Sequence, residues 1–439
     1  MKFFDREREI EKLREIRTFS RKAAQFTVIT GRRRIGKTSL VLKAYDDEPF
    51  LYFFVTRSSE SVLCEEFTEE LTSKLQIPVL GKVQRFADLF EYIMEIAKTR
   101  PLTLMIDEFQ DFNRVNGAIF SQIQKIWDQK KNEAKINLIV CGSVYSMMTK
   151  LFRDKKEPLY GRQTEFIKIE PFTPSVVKNI LAYYHPKYTK EDLLSLYTYT
   201  GGVAKYIELL MDTEAVTAKQ MLERIIVKNS YFIYEGKNVL IEEFGRDYGR
   251  YFDILKLIAS GHNTRSDIES IVHTEISGYL TRLENDYGLI SKNKPMSQKS
   301  GNKNNVYMIN DLFLQFWFRF IYKYNYFVEA NAYEKLAEVV ARDYETYSGK
   351  VLERWFKEAL KERGQFTHID SWWDRKGENE IDIIAADDLE KSVTFYEVKR
   401  QSKEFSMNTL EEKVQHFKTV TGEFGKYHTD MKGLCMDDM

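Results

Sequence analysis

The first 170 residues alternate between short apolar runs and longer amphipathic segments. Helical patterns such as Val62–Leu75 and Ile119–Lys130 separate the apolar runs, which are rich in β-branched and aromatic residues. Strands that alternate with helices form a parallel sheet covered by helices on both faces, so the pattern predicts an α/β domain. The five predicted strands are Gln25–Thr30, Leu51–Val55, Leu102–Ile106, Ile136–Val140 and Glu165–Ile169.

After Pro171 the apolar positions recur with the period of a helix rather than that of a strand. Gly201 and Gly202 interrupt this pattern, and a polar loop, Ser291–Asn305, follows three short helical patterns that are typical of a helix-turn-helix unit. An aromatic run begins at Leu312. The sequence predicts five domains: an α/β core (1–170), a helical lid (171–245), a winged-helix domain (246–310), linking helices (311–345) and an α/β tail (346–439).

The tail alternates again between helices and strands. A predicted helix over Gly349–Arg363 opens it, and another over Thr409–Thr419 follows its strands. Between them lie three predicted strands, Phe366–Ile369, Glu380–Ala385 and Val393–Lys399. The last two strands are close enough in sequence to pair as a hairpin, which predicts a second and smaller sheet.

Composition narrows the range of environments and partners. The 439 residues carry equal numbers of acidic and basic side chains, so no field of the whole molecule attracts nucleic acid. The three cysteines lie far apart, which disfavours a disulfide framework or a thiolate metal site. No apolar segment follows Met1, and charges interrupt the aromatic run from Leu312. These features predict a cytoplasmic protein without a membrane partner.

The segment VITGRRRIGKTSL has the spacing of a phosphate-binding loop, or P-loop. Gly31 and Gly36 frame the pattern G-x-x-x-x-G-K-T directly after a predicted strand and at the start of a predicted helix. Backbone amides of such a loop point at phosphates, while Lys37 bridges the β and γ phosphates and Thr38 ligates Mg²⁺. The predicted nucleotide contacts are Gly31, Arg32, Arg33, Arg34, Ile35, Gly36, Lys37, Thr38 and Ser39.

The segment LTLMIDEFQ supplies the acidic partner of this loop. Asp107 stands at the end of a buried strand, where it holds the Mg²⁺ shell, and Glu108 follows as the base that polarises the attacking water. The two motifs together predict a site that binds and hydrolyses a nucleoside triphosphate. Ser143 either contacts the γ-phosphate or caps a helix. Arg162 either stabilises the negative charge that develops on the phosphate or is a surface arginine.

Charged residues alternate along the predicted hairpin of the tail. Residues two apart in a strand share a face, so Asp382 on one strand meets Glu397 and Lys399 on the other. Two carboxylates suit Mg²⁺, Glu353 on the preceding helix completes the ligand set, and Lys399 positions a water or neutralises developing charge. The D…E-x-K pattern is short and recurs on many exposed hairpins, so an inactive tail stays an alternative.

The winged-helix prediction raises the question of DNA contact. Its third predicted helix, Thr274–Asn285, would enter a major groove, although that helix also carries acidic residues. The polar loop offers phosphate contacts through Lys292, Lys294, Lys299 and Lys303. Such modules also serve as packing pieces between domains. The aromatic run is likewise either a base-stacking platform or, as rings on both sides of one helix indicate, a packing element.

The order of these motifs resembles the archaeal-type ATPases of the AAA+ superfamily, in the STAND-like branch whose members often carry a C-terminal DUF234 domain. The motifs are, in order, FFDREREIEKL, the loop at Gly31, IDEFQ, CGS, PLYGR and GGVAKYIELL, and they cover nearly the whole chain. By that resemblance Ser143 is the sensor residue, Arg162 is the arginine of PLYGR, and Arg6 lies in an N-terminal motif near the base. The chain departs from the family at Ala204, where proline is usual.

The same resemblance places the tail near the restriction-endonuclease-like fold. It implies an α/β fold class: a P-loop parallel-sheet ATPase domain with a helical lid, then a winged-helix domain and a C-terminal α/β nuclease-like domain. The implied function is an ATP- and Mg²⁺-dependent ATPase that contacts DNA through the winged helix and the tail. The alternative is a nucleotide-dependent signalling switch with a protein partner and an inactive tail. An oligomer in which Arg162 acts on a neighbouring subunit also stays open.

Overall fold

The computed structural model describes residues 1–79, 81–245, 248–296, 305–374 and 377–439. They form two compact units, residues 5–170 and residues 1–4 together with 171–439. Two lysines of the predicted wing, Lys299 and Lys303, lie outside the described residues. Each unit is built around a sheet of its own.

The first unit contains a five-stranded parallel sheet. Its strands are β1 (Gln25–Gly31), β2 (Leu51–Phe54), β3 (Leu102–Asp107), β4 (Ile136–Cys141) and β5 (Glu165–Ile169). Side by side they run β2-β3-β4-β1-β5. Because parallel strands end at the same edge, the loops that follow β1, β3 and β4 lie next to one another. The five strands predicted from sequence are confirmed to within one residue.

In the described residues of this unit, seven helices accompany the sheet. They are α1 (Glu7–Ser20), α2 (Lys37–Ala44), α3 (Glu60–Leu75), α4 (Phe86–Thr99), α5 (Phe112–Asn116), α6 (Ala118–Lys130) and α7 (Tyr145–Arg153). β3 and β4 are buried along their whole length, as strands with helices on both faces are expected to be. Aromatic rings fill the core: Phe53 stacks on Phe67 with centroids 4.2 Å apart, and Phe26 meets Trp127 edge-on at 5.1 Å.

The second unit begins with five helices. They are α8 (Pro174–Tyr184), α9 (Lys190–Thr200), α10 (Ala204–Met211), α11 (Ala218–Ile225) and α12 (Tyr231–Phe244). α9 starts with a capping box, in which Thr189 accepts from the backbone of Asp192 while the Asp192 side chain accepts from the backbone of Thr189. It ends at Gly201, where the sequence predicted a break. The predicted lid segment is therefore helical throughout its described elements.

Three helices and a small hairpin follow. They are α13 (Tyr248–Ala259), α14 (Arg265–Val272), α15 (Ser277–Thr281), β6 (Ile290–Asn293) and β7 (Val306–Ile309). β6 and β7 pair antiparallel, as a wing would. The third helix is shorter than predicted, because α15 passes into a π-helical turn over Arg282–Asp286.

The aromatic run forms the short helix α16 (Leu312–Phe316) and a π-helical turn, Trp317–Tyr322. Phe316, Phe318 and Phe320 are fully buried, and the Trp317 Nε1 donates a hydrogen bond of 2.9 Å to the carbonyl of Ile233. Rings enclosed in this way are not available to nucleic-acid bases. The buried rings make this part of the run a packing element, whereas Tyr326 near its end is exposed, and the base-stacking alternative stays a prediction for that end.

Two further helices complete the middle of the second unit. They are α17 (Asn325–Glu329) and α18 (Tyr333–Arg363). α18 has 31 residues and runs through the position where the sequence placed a boundary, at 345/346. Tyr344 on α18 shares a hydrogen bond of 2.7 Å with Ser195 on α9, so this helix packs along the lid helices before it reaches the tail.

The tail contains a four-stranded sheet with a helix on one face. Its elements are β8 (His368–Trp373), β9 (Glu380–Asp387), β10 (Ser392–Val398), α19 (Met407–Thr421) and β11 (His428–Leu434). The strand order is β11-β10-β9-β8, and β9 pairs antiparallel with β10 as predicted. β11 is a half-exposed edge strand that the sequence analysis missed. Trp372, Phe395 and Phe417 lie in the core between the sheet and α19.

Within the described residues, no helix is both long and apolar enough to cross a membrane.

Candidate functional site

The predicted phosphate-binding loop joins β1 to α2 and turns sharply at its glycines. Gly31 has φ 148° and Gly36 has φ 96°, a region that side-chain-bearing residues rarely adopt. A Cβ on Gly31 would lie 2.6 Å from the carbonyl oxygen of Ile169, so the backbone of β5 approaches the loop closely. Arg34 also has a left-handed conformation, with φ 72°. The loop therefore has the wrapped backbone that phosphate binding requires.

Lys37 is the first residue of α2 and its side chain is buried. Its ammonium donates to the carbonyls of Gly31 and Arg32, at 2.9 and 3.0 Å. Ile35 is buried, the three predicted arginines are half-buried and Ser39 is exposed. One ammonium, the amino end of α2 and the amides of the loop thus face the same small region.

Asp107 ends β3 and is held by three donors. Thr38 Oγ1 donates to its Oδ2 at 2.6 Å, and the Tyr52 hydroxyl donates to the same oxygen at 3.2 Å. The amide of Glu108 donates to Oδ1 at 3.0 Å. Burial, and then the neighbouring Asp107 charge, raise the pKa of Tyr52, so its hydroxyl keeps the proton it donates. The contact of Thr38 with Asp107 brings the two predicted Mg²⁺ ligands together.

Glu108 follows in a left-handed conformation, with φ 52°. Its Oε2 accepts from the Ser143 hydroxyl at 2.7 Å and from the Ser143 amide at 3.3 Å. The side-chain amide of Gln110 donates to the same oxygen at 2.6 Å. Ser143 therefore reaches Glu108 from the end of β4, and α7 has no side-chain cap.

Arg162 lies away from these contacts. It donates to the carbonyl of Tyr160 at 2.8 Å and forms an ion pair of 3.2 Å with Asp128 on α6. Both partners belong to the surface of the first unit. The structure does not bring Arg162 to Lys37 or Glu108 within this unit.

Arg6 precedes α1 and is buried. It donates to the carboxylate of Glu9 at 3.2 Å and to the carbonyl of Glu170 at 2.5 Å. Glu170 follows Ile169, the residue whose carbonyl approaches Gly31. Arg6 thus lies next to the strand end that supports the phosphate-binding loop.

Two residues of this site carry no signal in the sequence motif. Tyr52 reaches Asp107 only because β2 lies beside β3 in the sheet. Gln110 reaches Glu108 because a 3₁₀ turn, Phe109–Asp111, folds the chain back after β3. Strand order places Tyr52 and a short turn places Gln110. The spacing of the glycines and the lysine in the motif predicts neither position.

The tail holds a second group of acidic residues. Glu353 on α18 and Glu380 and Asp382 on β9 each offer a carboxylate oxygen, and these oxygens lie within 4.8 Å of one another. The structure brings Glu353 and Asp382 together as the sequence predicted. Glu380, two residues before Asp382 on the same strand, was missed as a member of the group.

Glu397, the remaining predicted ligand, lies near Asp382 and is bound by two lysines. Its carboxylate accepts two hydrogen bonds from Lys413 on α19, at 3.0 and 2.9 Å, and one of its oxygens pairs with Lys399 at 2.8 Å. Asp382 accepts the backbone amide of Val398 at 2.7 Å, where β9 and β10 diverge. Glu380 lies beside Asp382 because it is two residues away on the same strand, while Glu397 is bound by Lys399 and by Lys413, which comes from a helix the motif does not include.

The electrostatics of the acidic group favour a cation. Burial, and then the charges of Asp382 and Glu380, raise the pKa of Glu353 to about 8. Burial and the nearby Glu397 likewise raise the pKa of Asp382 to about 6. Carboxylate oxygens that crowd together in this way are the hard ligands that Mg²⁺ and Mn²⁺ prefer, so the donor set fits such an ion.

Comparison with known proteins covers both units. Residues 3–210 match a family described as an ATPase domain predominantly from Archaea. Residues 317–415 match the DUF234 family, described as "Archaea bacterial proteins of unknown function".

The chain is also similar to individual proteins. It is 30% identical over 407 residues to the uncharacterized protein MJECL04 of Methanocaldococcus jannaschii, which covers 90% of this chain and 87% of that protein. A 67-residue stretch, 15% of this chain, is 37% identical to the uncharacterized protein MJ0424 of the same organism and covers 65% of it. Among solved structures, the Walker-type ATPase paby2304 of Pyrococcus abyssi is similar in fold. It matches with a TM-score of 0.55 at 18% identity and covers 72% of this chain and 96% of that one.

Proposed function

The chain belongs to the family of archaeal ATPases that carry a C-terminal DUF234 domain, and from this premise we propose that it is a Mg²⁺-dependent ATPase that acts on DNA. Its first unit is an ATPase domain of the archaeal type. The observation that carries the Mg²⁺ and residue assignments is the hydrogen bond of 2.6 Å between Thr38 and Asp107. A hydroxyl from the start of α2 and a carboxylate from the end of β3 converge there, and the residue before Thr38 carries the buried ammonium.

Each residue of the front site has a distinct task in this proposal. Lys37 neutralises charge on the β and γ phosphates, while Thr38 and Asp107 hold Mg²⁺. When bound, Mg²⁺ withdraws charge from the phosphate oxygens. Glu108 orients the attacking water and accepts its proton, and Ser143 fixes Glu108 or hydrogen-bonds the γ-phosphate.

In this proposal Arg162 stabilises the transition state of hydrolysis at the site of a neighbouring subunit. Within the first unit it pairs with Asp128 rather than with the residues of the loop. An arginine supplied from another subunit would stabilise the transferring phosphoryl group, as arginine fingers do. Hydrolysis that rises more steeply than protein concentration, and that Arg162→Ala abolishes, would support this assignment.

The nucleotide proposal is tested by calorimetry and turnover. We expect wild-type protein to bind ATP and to hydrolyse it only with Mg²⁺. Asp107→Asn should keep nucleotide binding and lose turnover, while Asp88→Asn, an exposed carboxylate on α4, serves as the matched control. No heat with ATP from folded wild-type protein would refute the proposal.

We assign the tail as a metal-dependent nuclease centre, with Glu353, Glu380 and Asp382 as ligands. When bound, the ion would activate water and steady phosphodiester charge. Lys399 and Lys357 are cations near this group, and Lys399 would face the developing charge. Glu397 holds Lys399 in place through their ion pair of 2.8 Å.

The described part of the wing supports a shared surface for DNA. The Met296 amide donates to the carbonyl of Ser371 at 2.9 Å, and the Ser371 hydroxyl donates to the carbonyl of Asp382 at 2.6 Å. The strand β6 that leads to Met296 carries Lys292, and Lys294 follows it. Lysines suited to phosphate contact therefore lie on a segment that is hydrogen-bonded to the strand neighbouring the acidic group.

A cleavage assay tests the nuclease assignment. Plasmid and single-stranded DNA are incubated with Mg²⁺ or Mn²⁺, with and without ATP. We expect cleavage by the wild type, none by Asp382→Ala, and normal cleavage by Asp387→Asn at the far end of the same strand. Cleavage that persists in Asp382→Ala would remove the assignment.

A second candidate function is a nucleotide-dependent switch with a protein partner. Glu397 is neutralised by two lysines, Lys399 and Lys413, and the net charge of the chain is zero. Both features suit an inactive tail that is retained as a scaffold. DNA affinity separates the two functions, because contacts with phosphates weaken steeply as salt rises. Salt-independent binding, or none, favours the switch.

A further inference from the structure

Gln110 makes a contact that the nucleotide-binding motifs do not require. Its side-chain amide donates to Oε2 of Glu108 at 2.6 Å, and Ser143 donates to the same oxygen twice. Among the described residues Oε1 of Glu108 accepts no hydrogen bond. One oxygen of the proposed base is thus saturated by the protein, while the other keeps its lone pairs for a proton.

The turn that carries Gln110 is fixed by the core. Phe109 and Phe112 are fully buried on either side of it, with ring centroids 5.7 Å apart. Gln110 itself is 1% exposed. A side chain held in this way cannot follow Glu108 if the carboxylate rotates, so it restricts the carboxylate to one orientation.

The carbonyl oxygen of the Gln110 side-chain amide is expected to lower the stability of the fold. Its Oε1 is buried and has no hydrogen-bond partner among the described residues. An unpaired buried acceptor destabilises a fold, and an apolar side chain of equal size would avoid it. The two amide ends are distinguishable here, because the opposite assignment would place Oε1 against the carboxylate of Glu108.

Gly142, before Ser143, leaves room for this amide. A Cβ at position 142 would collide with Oε1 of Gln110 and with the side chain of Met148. Glycine at the end of β4 therefore lets the Gln110 amide lie directly against the backbone that presents Ser143. Two loops of the sheet edge together form one holder for the base.

We propose that Gln110 is a positioning residue for ATP hydrolysis, which locks the carboxylate of Glu108 with Oε2 on protein donors and Oε1 toward the attacking water. This inference rests on the proposed ATPase function. In the chemical step the water O–H bond breaks, its proton passes to Oε1 of Glu108, and its oxygen bonds to the γ-phosphorus as the bond to the ADP oxygen breaks. Gln110 touches neither water nor phosphate and acts through Glu108 alone.

The test replaces Gln110 with methionine, which has a similar length and no donor. We expect Gln110→Met to lower kcat roughly 10- to 100-fold, since small displacements of a base have effects of that size. KM for MgATP and the nucleotide affinity should stay within about twofold, because no ligand contact is lost. The melting temperature should stay or rise, since the unpaired oxygen is gone. Gln122→Met is the matched control, because Gln122 on α6 also carries a buried unpaired oxygen and should leave kcat unchanged.

A double-mutant cycle separates positioning from a structural role. In a Glu108→Gln background, single-turnover hydrolysis should change less than about twofold on adding Gln110→Met, because coupled residues are not additive. An equal loss in both backgrounds, a wild-type kcat for Gln110→Met, or a loss that follows the melting temperature would each overturn the inference. Absence of hydrolysis by the wild type would instead refute the proposed function, so the two failures are distinct.

Discussion

The acidic residues of the two units are held in opposite ways. In the front site, neutral groups satisfy the carboxylates: hydroxyls of Thr38 and Tyr52 bind Asp107, and Ser143 binds Glu108. In the tail, burial and then the charges of neighbouring carboxylates raise the pKa values of Glu353 and Asp382. The front-site carboxylates have hydrogen-bond donors even without a bound metal ion. The tail carboxylates destabilise the fold until a cation or a proton neutralises them.

This difference predicts that ligand binding affects the two sites differently. A site satisfied by hydroxyls and amides is already shaped for its substrate, because each donor fixes a carboxylate orientation. A crowded group of carboxylates gains stability from metal binding, so ion affinity and local stability are coupled there. Loss of a donor that holds the base Glu108 should therefore reduce turnover at the front, while loss of a single carboxylate should leave the metal-free tail at least as stable.

The largest expected effect tests whether the two sites are independent. Lys37→Met removes the buried ammonium at the start of α2 and should lower ATP hydrolysis at least about 100-fold, because this charge would stabilise the developing charge on the phosphates. Mn²⁺ binding by the tail, followed by electron paramagnetic resonance, should not change. Lys43→Met, an exposed lysine on α2, is the control. Weakened Mn²⁺ binding in Lys37→Met would contradict the separation of the sites.

The next effect concerns the tail alone. Glu353→Gln should weaken Mn²⁺ binding roughly 10- to 100-fold while ATP hydrolysis stays normal. Without metal the variant should be at least as stable as the wild type, because a buried group with a raised pKa has been removed. Urea unfolding in EDTA checks this, with Glu345→Gln on the exposed face of α18 as control. A clear loss of stability would show that Glu353 is structural.

A pH series sharpens the same contrast. The folded-state pKa of Glu353 is raised from its usual 4.5 to about 8, so between these values the folded tail binds more protons than the unfolded chain. Its contribution to stability is therefore greatest below pH 4.5 and falls as pH rises toward 8. The slope for one proton is at most about 1.4 kcal/mol per pH unit. Glu353→Gln should flatten this dependence in EDTA, and an unchanged slope would contradict the assignment.

The smallest effect is expected at the edge of the front site. Tyr52→Phe removes one donor from Asp107 and leaves Thr38 in place. This hydrogen bond is long, at 3.2 Å, and contributes about 1 kcal/mol, so the Mg²⁺ concentration for half-maximal hydrolysis should rise roughly fivefold. Maximal turnover should stay close to the wild type. A complete loss of activity would mean that Tyr52 takes part in the reaction itself.

The sequence predicted best what depends on neighbours along the chain. The loop at Gly31, the five strands of the first unit and the pair Asp107 and Glu108 follow from local spacing, and the structure has them where they were expected. Tyr52 and Gln110 were missed because they depend on strand order and on a 3₁₀ turn. Residue patterns along the chain predict neither the strand order nor this turn.

The tail was harder to predict for the same reason. The ion pair that occupies Glu397 involves Lys413, which α19 brings back to the end of β10. A register shift between Asp370 and Trp372 also changes how β8 meets β9. Alternation along a strand predicts faces, but it does not predict which distant charge arrives there. The five domain boundaries stay predictions, and α18 runs through one of them.

α18 also fixes the directions in which two of its side chains point relative to each other. It carries Tyr344, bonded to Ser195, and Glu353, nine positions later beside Glu380 and Asp382. An α-helix turns by about 100° per residue, so one residue inserted between them would swing Glu353 to another side without unwinding anything. Seven inserted residues, nearly two whole turns, would restore the direction while lengthening the rod by about 10 Å. Exposed positions in this stretch, such as Glu345, can therefore be substituted, but the number of residues between Tyr344 and Glu353 is constrained.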